Sequence, residues 1–335
     1  MDYLTKYRIE LLGLGMMLII FFHSSIEIPS YLSPLKFLQF MGYVGVEVFF
    51  LLSGVGLIYS YTKKPDLKTF FRKRLLRVLP VFWACLILIH VKNIIVGEFS
   101  ASDLILAASG LDFLIYGVLD TWFIPAILIC YLLFPLYYFI SNKFGFAKSF
   151  VFSTIIILLF ALFISNSSFQ YLLVFVIRLP VFFLGVYLGN LIISDTKHEF
   201  LSSKWLVSFI LFLGLVLLVL AVKVVSTPNM WAYGLFWYPT ILMAYPICVL
   251  LGFGISKLEI YFPYLNKMIR PFGIYSLEMY LLHGLIFSLS NKLPFKDLDM
   301  NFLRIPEYIL YVLIAFLLSL LVNRLVTLLQ LKKAT

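Results

Sequence analysis

Gly45-Val-Glu-Val-Phe-Phe-Leu-Leu-Ser-Gly-Val-Gly56 sets one carboxylate, Glu47, inside a long apolar run. A charge at the centre of a membrane helix costs about 2.5–3.5 kcal/mol on insertion scales, so it is kept where it meets a polar partner or a wet cavity. The apolar segment before this stretch ends in His23, and the basic run Arg72-Lys-Arg-Leu-Leu-Arg77 introduces the segment after it. Three successive segments therefore deliver a base, an acid and a cation cluster. The remaining segments are expected to build a cavity around them.

The rest of the chain agrees with a membrane setting. It has 335 residues, is 63% hydrophobic and only 13% charged, with a mean hydropathy of +1.04. Soluble domains carry about 25% charged residues. The reading is an all-α, polytopic integral membrane protein with one domain over residues 1–335 and no appended soluble domain. The net charge of +10 does not point to nucleic acid, because the cations fall in short loops between apolar runs and act as topology signals. Cys85, Cys130 and Cys248 all lie in apolar runs, where neither a disulfide framework nor a metal site fits their spacing. No cleavage site follows the basic Met1–Arg8 start, so the first run reads as an uncleaved helix.

Runs of about 18–25 apolar residues predict about ten spans. They cover 9–25, 41–61, 78–97, 122–141, 149–166, 170–193, 205–225, 232–255, 272–291 and 303–328. Loop 62–77 carries seven cations, whereas loop 98–121 has none and holds Glu98, Asp103, Asp112 and Asp120. With ten spans, roughly 18 or 19 of the 26 basic residues share the side of the N-terminus, which the positive-inside rule makes cytoplasmic for both termini. Lys292, Lys296 and Arg304 run against this trend. Segment 101–118, interrupted by Asp112, is expected to lie at the interface or re-enter, because a further span there would invert every later loop.

His23 falls near the outer end of the first predicted helix and Glu47 near the outer start of the second, at similar depth. A carboxylate beside an imidazole fixes its tautomer and stabilises the imidazolium, which suits general base catalysis; the bland reading is an interfacial histidine and a helix-bonding glutamate. Arg74 and Arg77 are three apart and share a helix face. Two guanidiniums so placed suit phosphate, and a lipid-facing anchor is the plainer alternative. Arg178 is a cation in mid-run that needs a partner, with Glu47 or Glu278 as the plain choice, and Glu278 with His283 forms a second intramembrane polar pair. His90 reads as structural and His198 as a solvated loop residue. No Gly-rich phosphate loop, HExxH pattern or CxxC pair is present.

The order of these elements resembles acyltransferase family 3, the polytopic bacterial membrane enzymes that O-acylate cell-surface glycans. The matching stretches are Phe21-Phe-His23-Ser24, Gly45 to Gly54, and Phe71-Arg-Lys-Arg-Leu-Leu-Arg-Val-Leu-Pro80. Thr121-Trp-Phe-Ile with Tyr131-Leu-Leu-Phe-Pro135, Arg178-Leu-Pro-Val-Phe-Phe-Leu-Gly185 and Tyr275-Ser-Leu-Glu-Met-Tyr-Leu-Leu-His283 complete them. There is one departure. The family usually has an arginine eleven positions before the first-helix histidine, and here that position is Leu12. Arg8, fifteen before His23, is ~60° off the histidine face and can substitute for it only from the interface.

The resemblance implies acyl-coenzyme A, most often acetyl-CoA, as the donor, with no metal. It implies membrane lipid and a surface or lipid-linked glycan as partners, no nucleic acid, and a multi-pass place in the bacterial cytoplasmic membrane. Under it His23 and Glu47 are catalytic, and Arg72, Arg74, Arg77 and Arg178 hold the donor. Trp122, Glu278 and His283 contact the acceptor, and Trp231 and Trp237 offer further rings for stacking on sugars or for the interfacial aromatic belt. Two other readings share the polar intramembrane residues: a transporter or flippase for a glycan precursor, and a non-catalytic subunit of a polysaccharide export system.

Overall fold

A computed structural model describes residues 2–24, 28, 30–96, 100–195, 203–225, 227–290 and 304–332. Glu98, Lys197, His198, Lys292, Lys296 and Lys333 lie outside them. The described chain is helical throughout, without strands. In order the helices are α1 (Tyr3–Lys6), α2 (Arg8–His23), α3 (Ser33–Phe40), α4 (Gly45–Lys63) and α5 (Leu67–Ile95). Then come α6 (Ala101–Ser109), α7 (Leu111–Tyr116), α8 (Phe123–Phe144), α9 (Phe146–Ile164), α10 (Leu173–Val176) and α11 (Leu179–Ile193). The last six are α12 (Lys204–Val224), α13 (Thr227–Ala232), α14 (Trp237–Tyr261), α15 (Leu265–Ile274), α16 (Ser276–Ser290) and α17 (Arg304–Lys332).

Among the described residues, eight helical stretches are long and apolar enough to cross a membrane. The first and ninth predicted spans form shorter helices, α2 of 16 residues and α16 of 15. At 1.5 Å per residue they reach only about 24 and 22 Å, less than the ~30 Å of a hydrocarbon core. α2 stops where Ser24 turns to extended backbone. The ninth predicted span, 272–291, is divided at Tyr275 between α15 and α16. Segment 101–118 forms two helices of 9 and 6 residues. Neither is long enough to cross, in keeping with an element that does not span. Ser100 and Asp103 close a reciprocal capping box at the start of α6, and Gly110 ends it in the left-handed conformation.

Two further departures matter for the site. The basic run 72–77, expected in a loop, lies inside α5, because Asp66 captures the Thr69 amide at 2.7 Å and starts the helix early. The Thr69 hydroxyl, and then its amide, hold the Asp66 carboxyl below its usual range. Segment 170–193 is broken rather than continuous. It comprises a 3-10 turn, α10 and then α11, with Arg178 at the start of α11 and Pro180 within its first turn. Proline fits there because its missing N–H would have no helical partner at that position.

α4 is almost wholly buried, from Gly45 to Ile58, among α2, α11 and α14. It packs against α11 backbone to backbone. A Cβ on Gly54 would collide with the Phe182 carbonyl, and one on Gly185 with the Leu51 carbonyl. Small residues permit this approach, and dispersion between closely fitted backbones replaces the hydrophobic effect that lipid cannot supply. The approach of the two helices brings Arg178 next to Glu47.

Candidate functional site

Glu47 lies in the first turn of α4 and is completely buried. Its Oε1 is 3.1 Å from Arg178 Nε and accepts the Thr240 hydroxyl at 3.0 Å. Arg178 is itself buried. It donates to the Val174 carbonyl and lies between two indole rings, 5.2 Å from the centroid of Trp122 and 4.9 Å from that of Trp237. A cation at a helix N-terminus opposes the dipole, while an anion in a first turn is favoured by it. Glu47 therefore offsets both the desolvation of Arg178 and its position on α11. Glu47 Oε2 has no hydrogen-bond partner among the described residues.

His23 closes α2 and is solvent-open. Its ring neighbour is His283, with centroids 5.1 Å apart. The His23–Glu47 pairing expected from matched depth takes a different form. No hydrogen bond joins the two, and Glu47 is turned to Arg178 and Thr240. The arginine's charge claims the carboxylate, so His23 lines a cavity from which Glu47 itself is absent, behind Arg178. That cavity has a volume of about 510 Å³, and its lining includes His23, Arg178, Trp122, Trp231 and Trp237. Trp122 thus serves Arg178 as well as the wall. His283 is buried beside His23, with its Nδ1 against the Tyr280 carbonyl.

A second, narrow cavity of about 70 Å³ lies at the other end of α2. Three guanidiniums line it, those of Arg8, Arg74 and Arg77, and no carboxylate does. Arg8 Nε and Nη2 donate to the Leu52 carbonyl at 3.3 and 3.2 Å. Gly56 makes room for this: a Cβ there would sit 2.7 Å from Arg8 Nη2. Arg74 donates to the Ser60 hydroxyl, and its buried Nε has no partner among the described residues. The three like charges repel one another, with no carboxylate in the lining to offset them. Such a cavity is organised for an anion. Leu12 lines the same cavity, so Arg8 brings a guanidinium to the space that an arginine at position 12 would face. Arg72 is exposed and does not line it.

The two cavities share three lining residues, Ile19, Val46 and Tyr280. Between them the chain from Arg8 to His23 rises about 22 Å. A scan against family models matches residues 11–324 to the Acyl_transf_3 model, described as an acyltransferase domain.

The chain belongs to the acyltransferase 3 family.

The match spans nearly the whole chain. Neither the search of curated proteins nor the search of solved structures found a match. Membership implies a multi-pass membrane acyltransferase. It leaves Glu278 apart from both cavities: this residue is buried and accepts the Asn323 side chain at 2.6 Å. Sequence reasoning gave no role to Tyr280, which lines both cavities, or to Thr240, which holds Glu47. Each is one polar side chain in an apolar run, with no spacing signal to separate it from packing. Tyr280 does fall inside the Tyr275–His283 motif, and that was the available clue.

Proposed function

We propose that this acyltransferase 3 protein moves an acyl group, acetyl in the simplest case, from acyl-coenzyme A to a hydroxyl of a surface or lipid-linked glycan. The observation that carries the reading is the pair of adjoining cavities. One presents three guanidiniums with no carboxylate, and the other presents His23, with Ile19, Val46 and Tyr280 common to both. The phosphates of the donor lie against Arg8, Arg74 and Arg77. In this reading the nucleotide stays at the mouth of the narrow cavity while the pantetheine arm carries the thioester toward His23. The positive-inside rule puts the arginine end in the bacterial cytoplasm and the histidine end on the outer side.

In the chemical step His23 takes the proton of the acceptor hydroxyl as that oxygen bonds to the thioester carbonyl carbon. Collapse of the tetrahedral intermediate breaks the carbon–sulfur bond, and the imidazolium returns the proton to the departing thiolate. The products are the O-acyl sugar and free coenzyme A. Arg178, locked by Glu47 and two indoles, supplies a fixed positive field at the acceptor cavity for the developing oxyanion. The tryptophan rings offer faces for sugars.

The test is the O-acetyl content of surface glycan, read by mass spectrometry, in cells with the wild-type gene, with His23→Ala, or with no copy. Acetylation restored by wild type and lost in His23→Ala at equal expression is the result expected. Unchanged acetylation per sugar, with less glycan in the null, would overturn the reading in favour of export.

A further inference from the structure

A third cavity, of about 280 Å³, lies between α5 and the α6–α7 hairpin. Its polar lining comes from His90, Asp103, Asp112, Tyr116, Asp120 and Thr121. The acyl-transfer reading above uses none of these residues. Loop 98–121 contains no lysine or arginine, so the carboxylates here have no cation from their own segment. Asp103 is engaged in capping α6, accepting the Ser100 amide at 2.9 Å and its hydroxyl at 2.6 Å. Asp112 Oδ1 accepts the Phe113 amide at 2.7 Å. Asp112 and the exposed Asp120 both line the cavity.

Thr121 is the decisive residue. It is only 4% exposed, lines this cavity, and its hydroxyl has no hydrogen-bond partner among the described residues. A buried hydroxyl without a partner costs about 1–3 kcal/mol. Valine would fill the same place without that cost. A ligand that completes the hydrogen bond would remove that cost.

The chemistry selects the ligand. Separated carboxylate acceptors, a hydroxyl and a half-exposed histidine offer mixed, spread-out hydrogen bonding rather than a converging shell of oxygens. No group of three or more His, Cys, Asp or Glu among the described residues is arranged to hold a metal ion. Tyr116, 68% exposed, adds an aromatic face at the edge. The volume lies just under the ~300 Å³ at which pockets for drug-sized ligands begin, which suits one hydroxylated ring. The place of the cavity supports this too. Residues 118–122 form a wall one chain thick: Val118, Asp120 and Thr121 face this cavity, whereas Leu119 and Trp122 face the one that holds His23.

We propose that the cavity of Asp112, Asp120 and Thr121 is a second carbohydrate subsite, which holds a sugar adjacent to the one acylated at His23. The acceptor is then at least a disaccharide. This rests on the acyl-transfer reading, and it adds that the enzyme recognises an oligosaccharide and not a single ring.

The full-length protein in nanodiscs tests it, with radiolabelled acetyl-CoA and fragments of the host's own surface glycan separated by length into one, two and more sugars. Thr121→Val and Asp120→Asn are compared with wild type, with thermal protection by coenzyme A as a check on the donor end. Each variant should raise the KM about tenfold for fragments of two or more sugars. With single sugars the KM should change less than twofold, and protection by coenzyme A should be retained. Thr121→Val should also be at least as heat-stable as wild type, so lost folding cannot mimic the effect. An equal KM change at every fragment length, or none, would overturn the subsite while the acyl-transfer reading stands. Fragment affinity that disappears with EDTA and returns with Ca²⁺ would overturn it in favour of a cation site. Wild type that transfers to no fragment of any length would overturn the acyl-transfer reading and the subsite with it.

Discussion

Replacing Glu47 by glutamine keeps the size of the side chain and the acceptor oxygen that Thr240 reaches at 3.0 Å. It removes only the charge opposite Arg178, 3.1 Å away. Both partners are buried, so the guanidinium is left without a counter-charge. Breaking a buried pair on one side costs about 3–5 kcal/mol. The Trp122 and Trp237 faces, at 5.2 and 4.9 Å from the guanidinium carbon, still attract the cation, each by about 0.5–2 kcal/mol. These contacts exist in the wild type as well, so they limit the loss without cancelling it. The net expectation is about 3 kcal/mol, a fall in thermal midpoint of about 4 °C for a chain of this size. Replacing both residues by apolar ones, as in Glu47→Leu/Arg178→Met, should bring stability back to within about 1 kcal/mol of wild type, because the desolvation of both charges is removed together. Cys85, Cys130 and Cys248 are all buried and free, so a thiol-reactive fluorophore reports unfolding in detergent directly. The double variant should remain inactive while stable, since the fixed field at the acceptor cavity is gone. A fall of under 1 kcal/mol in Glu47→Gln, with strictly additive effects in the double variant, would refute the argument that this pair is coupled and desolvated.

Three further outcomes follow from the same geometry. Gly56→Val should displace the Arg8 guanidinium, which has only 2.7 Å to the nearest Cβ position, and Arg8→Leu should remove it. Either should weaken heat protection by coenzyme A by about 10–100-fold in affinity, one charge-assisted bond's worth, and undiminished protection would return the donor site to Arg74 and Arg77 alone. Asp112 is pushed above its usual range by burial and by nearby Asp120. Its folded form holds a proton more tightly than its unfolded form, so it contributes stability at low pH that is lost as pH rises through the folded value. Asp112→Asn should therefore raise the thermal midpoint at pH 7–8 and lose that advantage toward pH 4; a pH-independent difference would contradict the assignment. Asn323→Leu removes the 2.6 Å donor to Glu278 and should cost about 1–3 kcal/mol of stability. Turnover measured well below the midpoint should be retained, and a stable but inactive Asn323→Leu enzyme would put Glu278 back among the acceptor contacts.

Much of this was legible before any coordinates. An apolar chain with sparse charge reads as a membrane protein, and apolar runs of about 18–25 residues select helices over the closed barrel that lipid also permits. The carboxylate in Gly45–Gly56, the cation in mid-run at Arg178 and the Arg74–Arg77 spacing each violate the local apolar rule, and such violations mark sites. Helix length was less legible: α2 stops at Ser24, and the ninth apolar run is divided at Tyr275 between α15 and α16, because local turns and not hydropathy set those points. Partner choice was legible only in part: a mid-run Arg178 calls for an acid and Glu47 is one of two on offer, but nothing local chooses between them. Depth along separate helices put His23 with Glu47, but which side chain turns to which depends on helix rotation and crossing, and these are decided by packing. Close approach of α4 and α11 at Gly54 and Gly185 placed Arg178 at Glu47 and left His23 beside His283. Composition, charge and spacing by themselves determined the class of protein, the polar residues that matter and the family resemblance. Only the tertiary structure decided that Arg8 joins Arg74 and Arg77, that Glu278 stands apart and that two cavities meet at Tyr280, because each depends on contacts between residues tens to hundreds of positions apart, which no local pattern records.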